Sequence, residues 1–279
     1  MSVPDPVPDP AREPGRTSTG AGSLGPGLRL AVGTLTILPV GDIHPLPRGA
    51  GRVAMIAAPL AVVPIAAVAG ILLWLALMAG APALVSAALC LATIAVLTRA
   101  MHLDGLADTI DGLGGGWTKD RALEIMRSGD VGPMGVAGLV LTLLAQASSL
   151  AALTVLPWAG LLAATAICSS RTAATMLCSR RIPTARASGM GAVVARSVPA
   201  PAVIGVALIV SAALAGAAAV SGLAWWWGLA AVGGVIVVLG IFLGMVLRKI
   251  GGITGDVIGG AIELALTAVL VVLAIGAAA

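Results

Sequence analysis

Apolar residues fall in seven long blocks, 52–79, 82–101, 134–156, 158–179, 198–220, 225–247 and 257–278. Each block is long enough, at about 1.5 Å of rise per helical residue, to cross a bilayer core. A shorter block, Leu28 to Leu38, stops at Pro39 and predicts an interfacial or re-entrant helix. Pro59 and Pro64 lie inside the first long block and should kink it, because each lacks a backbone donor and crowds the preceding turn. Residues 1–27 carry repeated Pro-Asp steps and no periodic apolar face, which predicts a disordered cytoplasmic tail and does not fit a signal peptide. The pattern therefore predicts an all-α, polytopic integral membrane helical bundle. It has about seven transmembrane helices plus short interfacial or cytoplasmic helices, with residues 28–279 as a single membrane-embedded domain.

Composition agrees: 59% of the residues are hydrophobic and 10% charged, which excludes an ordinary soluble globule. Basic residues then set the orientation, because they favour cytoplasmic connections. With the amino terminus inside, Arg48 and Arg52, Arg99 to Arg127, Arg180 to Arg196, and Arg248 with Lys249 all fall on the cytoplasmic side. The opposite connections, near Gly80, Pro157 and Ser221, hold no Lys or Arg. Trp158 and Trp225 to Trp227 sit at the outer boundary, where indole rings favour the interface. The net charge of +4 thus reflects topology and anionic headgroups or substrates, with no nucleic-acid partner implied. Cys90, Cys168 and Cys178 show no CxxC or Cys/His spacing and read as packing residues of apolar helices.

Against this apolar background, acids stand out. In a helix, Asp104, Asp108 and Asp111 share an arc of about 60°, and three carboxylates so placed repel one another unless a cation lies among them. A hard divalent metal with oxygen ligands, bridging to a phosphate, answers that need. A second cluster pairs Asp256 with Glu263, seven residues further along one helical face and about two turns deep in an apolar helix, where an ionised side chain marks a functional site by default. Asp120 and Glu124 lie in an amphipathic stretch, Lys119 to Arg127, and read as a solvated outer face. His102 is open between a general base and a structural residue at a helix end.

Glycines adjoin both clusters: Gly112, Gly114, Gly115 and Gly116 after the first, Gly251, Gly252 and Gly255 around the second. Such backbone permits close approach of a phosphate. With Lys119, Arg127, Arg180 and Arg181 in the same segments, an anionic diphosphate is the ligand class that fits.

His102-Leu103-Asp104-Gly105-Leu106-Ala107-Asp108-Thr109-Ile110-Asp111-Gly112-Leu113-Gly114-Gly115, followed by Arg121 to Arg127, Val131 to Val136, and Gly251-Gly252-Ile253-Thr254-Gly255-Asp256 with Gly259, Ala261 and Glu263, resemble the cobalamin synthase family. Its members are adenosylcobinamide-GDP ribazoletransferases. The matching motifs cover residues 99–138 and 248–266; Ser128-Gly129-Asp130 departs from the family's arrangement. The resemblance implies Mg²⁺-dependent transfer of the adenosylcobinamide phosphate moiety from adenosylcobinamide-GDP to α-ribazole or its 5′-phosphate. GMP is released, late in cobalamin biosynthesis, by a multi-pass enzyme of the cell inner membrane whose site faces the cytoplasm. It further implies association with other cobalamin-assembly enzymes.

On this reading Asp104, Asp108, Asp111, Asp256 and Glu263 hold Mg²⁺, and Arg127, Lys119, Arg181, Gly114 and Gly115 bind substrate. Asp104, Asp108 or His102 acts on the attacking hydroxyl. Three other classes fit less well. CDP-alcohol phosphotransferases carry an Arg after the Ala and a final D-x3-D, whereas Ala107 here precedes Asp108 and the last interval ends at Asp111. Membrane prenyltransferases bind a diphosphate through pairs of adjacent or near-adjacent acids beside a polyprenyl groove, which matches this spacing less well. A transporter with intramembrane acids would explain Glu263 but not the gathering of acids on one side.

Overall fold

The computed structural model describes residues 23–43, 45–47 and 49–279. Residues 1–22 of the expected tail, and Arg48, lie outside these. The described residues form helices α1 (Leu24–Leu35), α2 (Ala50–Ala61), α3 (Val63–Met78), α4 (Ala83–Leu97), α5 (Met101–Gly115), α6 (Lys119–Ile125) and α7 (Pro133–Leu153). They continue with α8 (Ala159–Ser170), α9 (Thr172–Leu177), α10 (Met190–Val194), α11 (Ala200–Val220), α12 (Trp226–Ile250) and α13 (Gly255–Ala278). No strand forms among them; Ser179 with Val198 and Thr184 with Ile253 make isolated bridges.

The expected all-α membrane bundle is the fold observed, with differences in how the segments divide. Five segments are long and apolar enough to cross a membrane, or six if α4 and α5 are counted as one bent span. Block 82–101 ends early because Arg99 and Ala100 both adopt positive φ, 57° and 52°, and α5 leaves α4 at 89°. α5 carries an acid on three of its turns and so lies outside the apolar spans. Block 158–179 is divided at Arg171 into α8 and α9. The expected kink in the first block is the break at Val62 between α2 and α3, with Pro64 in the first turn of α3, where a missing N–H costs nothing.

The amino-terminal boundary also shifts: Leu24 to Gly27, placed in the tail by the sequence, open α1. Gly27 makes this possible, because a Cβ there would fall 2.5 Å from Val53 Cβ of α2. Apolar association gains little inside lipid, so contacts of this kind, small residues letting backbones approach, carry much of the packing. α13 is the central post: 67% of its apolar window is buried inside the protein, against 22–33% in the other four spans.

At the end of the bundle that carries most of the basic side chains, two connections and α6 interlock. Ala185 N donates to Ile253 O at 2.9 Å and Ile253 N to Pro183 O at 2.9 Å. The Arg186 guanidinium donates to Leu123 O at 2.9 Å. This ties α6 and the segments after α9 and α12 around the start of α13.

Candidate active site

The site arises where α5 meets the first turns of α13. A Cβ on Gly105 would lie 2.7 Å from Asp256 O and 3.0 Å from Asp256 Cα, and one on Gly259 would lie 3.3 Å from His102 Cα. Only glycine lets the two helices approach so closely. The approach sets Asp104 and Asp256, from distant motifs, on one cavity of about 380 Å³. His102 and Arg99 share its lining, and Met55, Ala174 and Ile262 supply an apolar wall. Asp104 is exposed in the first turn of α5, a favourable place for an anion.

Charge in this corner is unbalanced. Asp256 Oδ2 accepts from Thr254 Oγ1 at 3.1 Å and stands 3.7 Å from Arg186 Nη1. Thr254 also caps α13 by accepting from Val257 N at 3.2 Å. Asp108 is buried, and burial, followed by the charges of Asp104, Asp256 and Asp111, pushes its carboxyl up to about 6, with Arg186 opposing. Three carboxylates, Asp104, Asp108 and Asp256, thus face one paired guanidinium. Burial, reinforced by Arg171, pushes the His102 ring down to about 3, so it is neutral at physiological pH and a weak proton acceptor. Its Nδ1 has no partner within the fold.

Asp111 belongs to a different structure from its two neighbours. Its Oδ2 accepts from Gly132 N at 2.7 Å and its Oδ1 from Gly135 N at 2.8 Å, so it caps the amino end of α7. A Cβ on Gly132 would sit 2.5 Å from Asp111 Oδ1, which is why glycine stands there. Helical spacing placed Asp111 with Asp104 and Asp108; the start of α7 takes up its carboxylate instead.

Glu263 is likewise separated from the cavity. Gln146 Nε2 donates to Glu263 Oε2 at 2.9 Å and to Thr267 Oγ1 at 3.1 Å. The charge of Arg171, which is 0% exposed, acts on Glu263. Arg171 donates to Ile167 O at 3.0 Å and Ser170 Oγ at 2.8 Å, leaving Nε and Nη2 unpartnered. Glu263 therefore sits in the field of a buried arginine, outside the cavity, and of the five acids expected to hold a metal Asp104 and Asp256 line it. Among the described residues no three His, Cys, Asp or Glu side chains converge closely enough to hold a metal ion by themselves. The donor chemistry nevertheless fits Mg²⁺, which usually takes one or two protein carboxylates and completes its shell with water and substrate phosphate.

Among the expected substrate-binding residues, Arg127 is exposed and close enough to act on Arg186 electrostatically. Lys119 Nζ lies beside Gly251, 3.5 Å from where a Cβ would be. Arg181 is exposed and makes no ion pair among the described residues. Gly114 packs against Met134, and a Cβ on Gly115 would meet Ile125 Cδ1 at 3.4 Å. Gly252 is closed by Thr184 and Ala185; of the glycines around the acids, Gly255 and Gly259 line the cavity. The amphipathic reading of α6 holds, with Arg121 and Glu124 paired at 2.8 Å and Thr118 capping its start.

Arg99, Arg171 and Arg186 escaped the reading of the sequence. Arg171 had a signal, a lone basic residue inside an apolar block. Arg186 had none, since its role depends on how the 178–199 connection folds back.

The model of the Cobalamin-5-phosphate synthase family matches residues 27–274. An adenosylcobinamide-GDP ribazoletransferase of Nocardioides sp. is 41% identical over 246 residues, covering 87% of this chain and 95% of that protein. Proteins of the same name from Bradyrhizobium diazoefficiens and Pseudomonas aeruginosa are each 36% identical, over 83% and 89% of this chain and 86% and 97% of their own lengths. No solved structure matches the chain.

Proposed function

Because the chain belongs to the Cobalamin-5-phosphate synthase family, we propose that the α5–α13 corner is the active site of an adenosylcobinamide-GDP ribazoletransferase. A ribose hydroxyl of α-ribazole, or of its 5′-phosphate, attacks the phosphorus that bears the cobinamide side chain. An O–P bond forms, the bridging P–O bond breaks, and GMP leaves with its electron pair. The observation that carries this reading is that Asp104 and Asp256, from motifs in the middle and near the end of the chain, line one cavity.

Phosphoryl transfer asks for alignment and charge neutralisation more than for covalent chemistry. Asp104 and Asp256 are the residues that would hold Mg²⁺, which when bound would supply charge neutralisation at the diphosphate. Arg186, fixed by Leu123 O and Asp256, and Arg127 beside it attract and orient the phosphates. Asp108, held near 6, is better matched to accepting the hydroxyl proton at neutral pH than His102, held near 3. The basic connections face the cytoplasm of the cell inner membrane, so nucleotide enters and GMP departs there.

The test is turnover by protein purified in detergent. Adenosylcobinamide-GDP and ribazole with Mg²⁺ should yield GMP and a product of the joined mass. No GMP would overturn the assignment, and undiminished turnover in excess EDTA would overturn the metal.

A further inference from the structure

The lining of the cavity at the acids includes one residue of permanent positive charge, Arg99, and that residue is exposed. It stands on backbone that side chains avoid. Arg99 and Ala100 have φ of 57° and 52°, where glycine would turn the chain without steric cost. Strain of this kind gathers at working sites, and the turn from α4 into α5 does not by itself account for an arginine.

Contacts within the fold do not use the side chain up. Nη2 donates to Gly33 O at 3.0 Å and, more weakly, to Thr36 O at 3.3 Å. Gly33 lines the same cavity, so this bond holds the guanidinium against the lining. A guanidinium carries N–H donors on every nitrogen, and Nε and Nη1 of Arg99 make no hydrogen bond among the described residues. No carboxylate pairs with Arg99 among them either, whereas Arg186 is taken by Asp256 at 3.7 Å and by Leu123 O at 2.9 Å. One nitrogen anchors the group and the others stay available to an anion. A cavity of about 380 Å³ is small for a ligand site, so an anion inside it lies within reach of so long a side chain. Resting on the ribazoletransferase reading, we infer that Arg99 is a phosphate-binding residue of the site, donating to a phosphate oxygen of a substrate through Nε or Nη1. Phosphate has two sources here, the diphosphate of adenosylcobinamide-GDP and the ester of ribazole 5′-phosphate, and the planar fork of arginine suits both.

The experiment compares Arg99→Gln and Arg99→Lys with the unaltered full-length protein in detergent. Glutamine keeps a side-chain N–H for the Gly33 carbonyl but loses the charge. It should raise KM for a phosphate-bearing substrate by a factor on the order of 10–100, the worth of a charge-assisted hydrogen bond, with the melting temperature nearly constant. Lysine should recover much of that loss. A rise for adenosylcobinamide-GDP assigns Arg99 to the donor diphosphate; a rise for ribazole 5′-phosphate without one for ribazole assigns it to the acceptor phosphate. Unchanged KM values, as for an arginine that meets only solvent or lipid headgroups, would overturn the role and leave the ribazoletransferase reading intact. So would equal losses in both variants with a lowered melting temperature, which would make Arg99 a brace for the corner. Where the glutamine variant fails to fold, protection decides. Modification of Arg99 by phenylglyoxal in the unaltered protein, located by peptide mass, should be slowed by adenosylcobinamide-GDP or by ribazole 5′-phosphate, and an undiminished rate with each would overturn the role. Absence of GMP release by the unaltered enzyme would overturn the ribazoletransferase reading, and the role with it.

Discussion

Asp256 and Glu263 stand two turns apart on one face of α13 and do opposite things. Asp256 faces a cavity with other carboxylates near it and one arginine at 3.7 Å, so the surroundings under-neutralise it. Glu263 is shut inside the bundle, accepts from Gln146 and offsets the charge of Arg171. An acid in an apolar helix is expensive in both places. In one place the cost is met by a partner within the fold; in the other it is left for a substrate complex to meet. The missing partner, rather than the depth of the acid, separates a site from a structural pair.

That contrast can be broken by substitution. Asp104→Asn or Asp256→Asn should lower kcat by a factor on the order of 10²–10⁴ while thermal unfolding in detergent stays put or shifts slightly upward, because repulsion is relieved. A stability loss matching the activity loss would make these acids structural after all. Glu263→Gln should behave in reverse, lowering the melting temperature while largely sparing kcat, because Arg171 loses the charge that acts on it. Pairing it with Arg171→Met should recover much of that loss, and a double variant no better than the single one would show that the two charges are independent. Gly105→Ala should cost about 1–3 kcal/mol by forcing α5 away from α13, and its effect on kcat should exceed its effect on the melting temperature, since the displaced element carries Asp104. The pH profile is subtler. Asp108 must be ionised to accept a proton; its carboxyl sits near 6 in the protein by itself and a cation at Asp104 and Asp256 would draw it lower, so kcat should fall about tenfold per pH unit below a midpoint under 6 and level off above it. Persistence of that acidic limb in Asp108→Asn would reassign the proton acceptor.

Block lengths and the rarity of charge made the membrane bundle legible before any coordinates, and the acids near residues 104 and 256 were legible as two clusters that could meet, as they do on the lining of one cavity. Periodicity stops short at Asp111: the angle around a helix axis says which residues share a face, not which neighbour occupies it, and here the neighbour is the amino end of α7. The same holds at Glu263, where Gln146 and the charge of Arg171 come from other blocks. The glycines were legible as close-approach positions, but what approaches is mostly protein: Met126 at Gly112, Met134 at Gly114, Asp256 at Gly105. Arg186 could not be singled out, because a cation in an irregular connection has no period to betray its aim.

The corner at Arg99 and Ala100 holds two adjacent non-glycine residues in left-handed backbone, a local frustration of about 1–2 kcal/mol each. Arg99 helps to hold it by donating to Gly33 O at 3.0 Å, which laces the corner to α1. A search for hardier variants would therefore meet Ala100→Gly early: the melting temperature should climb modestly as the kink relaxes. The same relaxation lets the shelf bearing Asp104 swing, so the sturdier protein should be the slower catalyst.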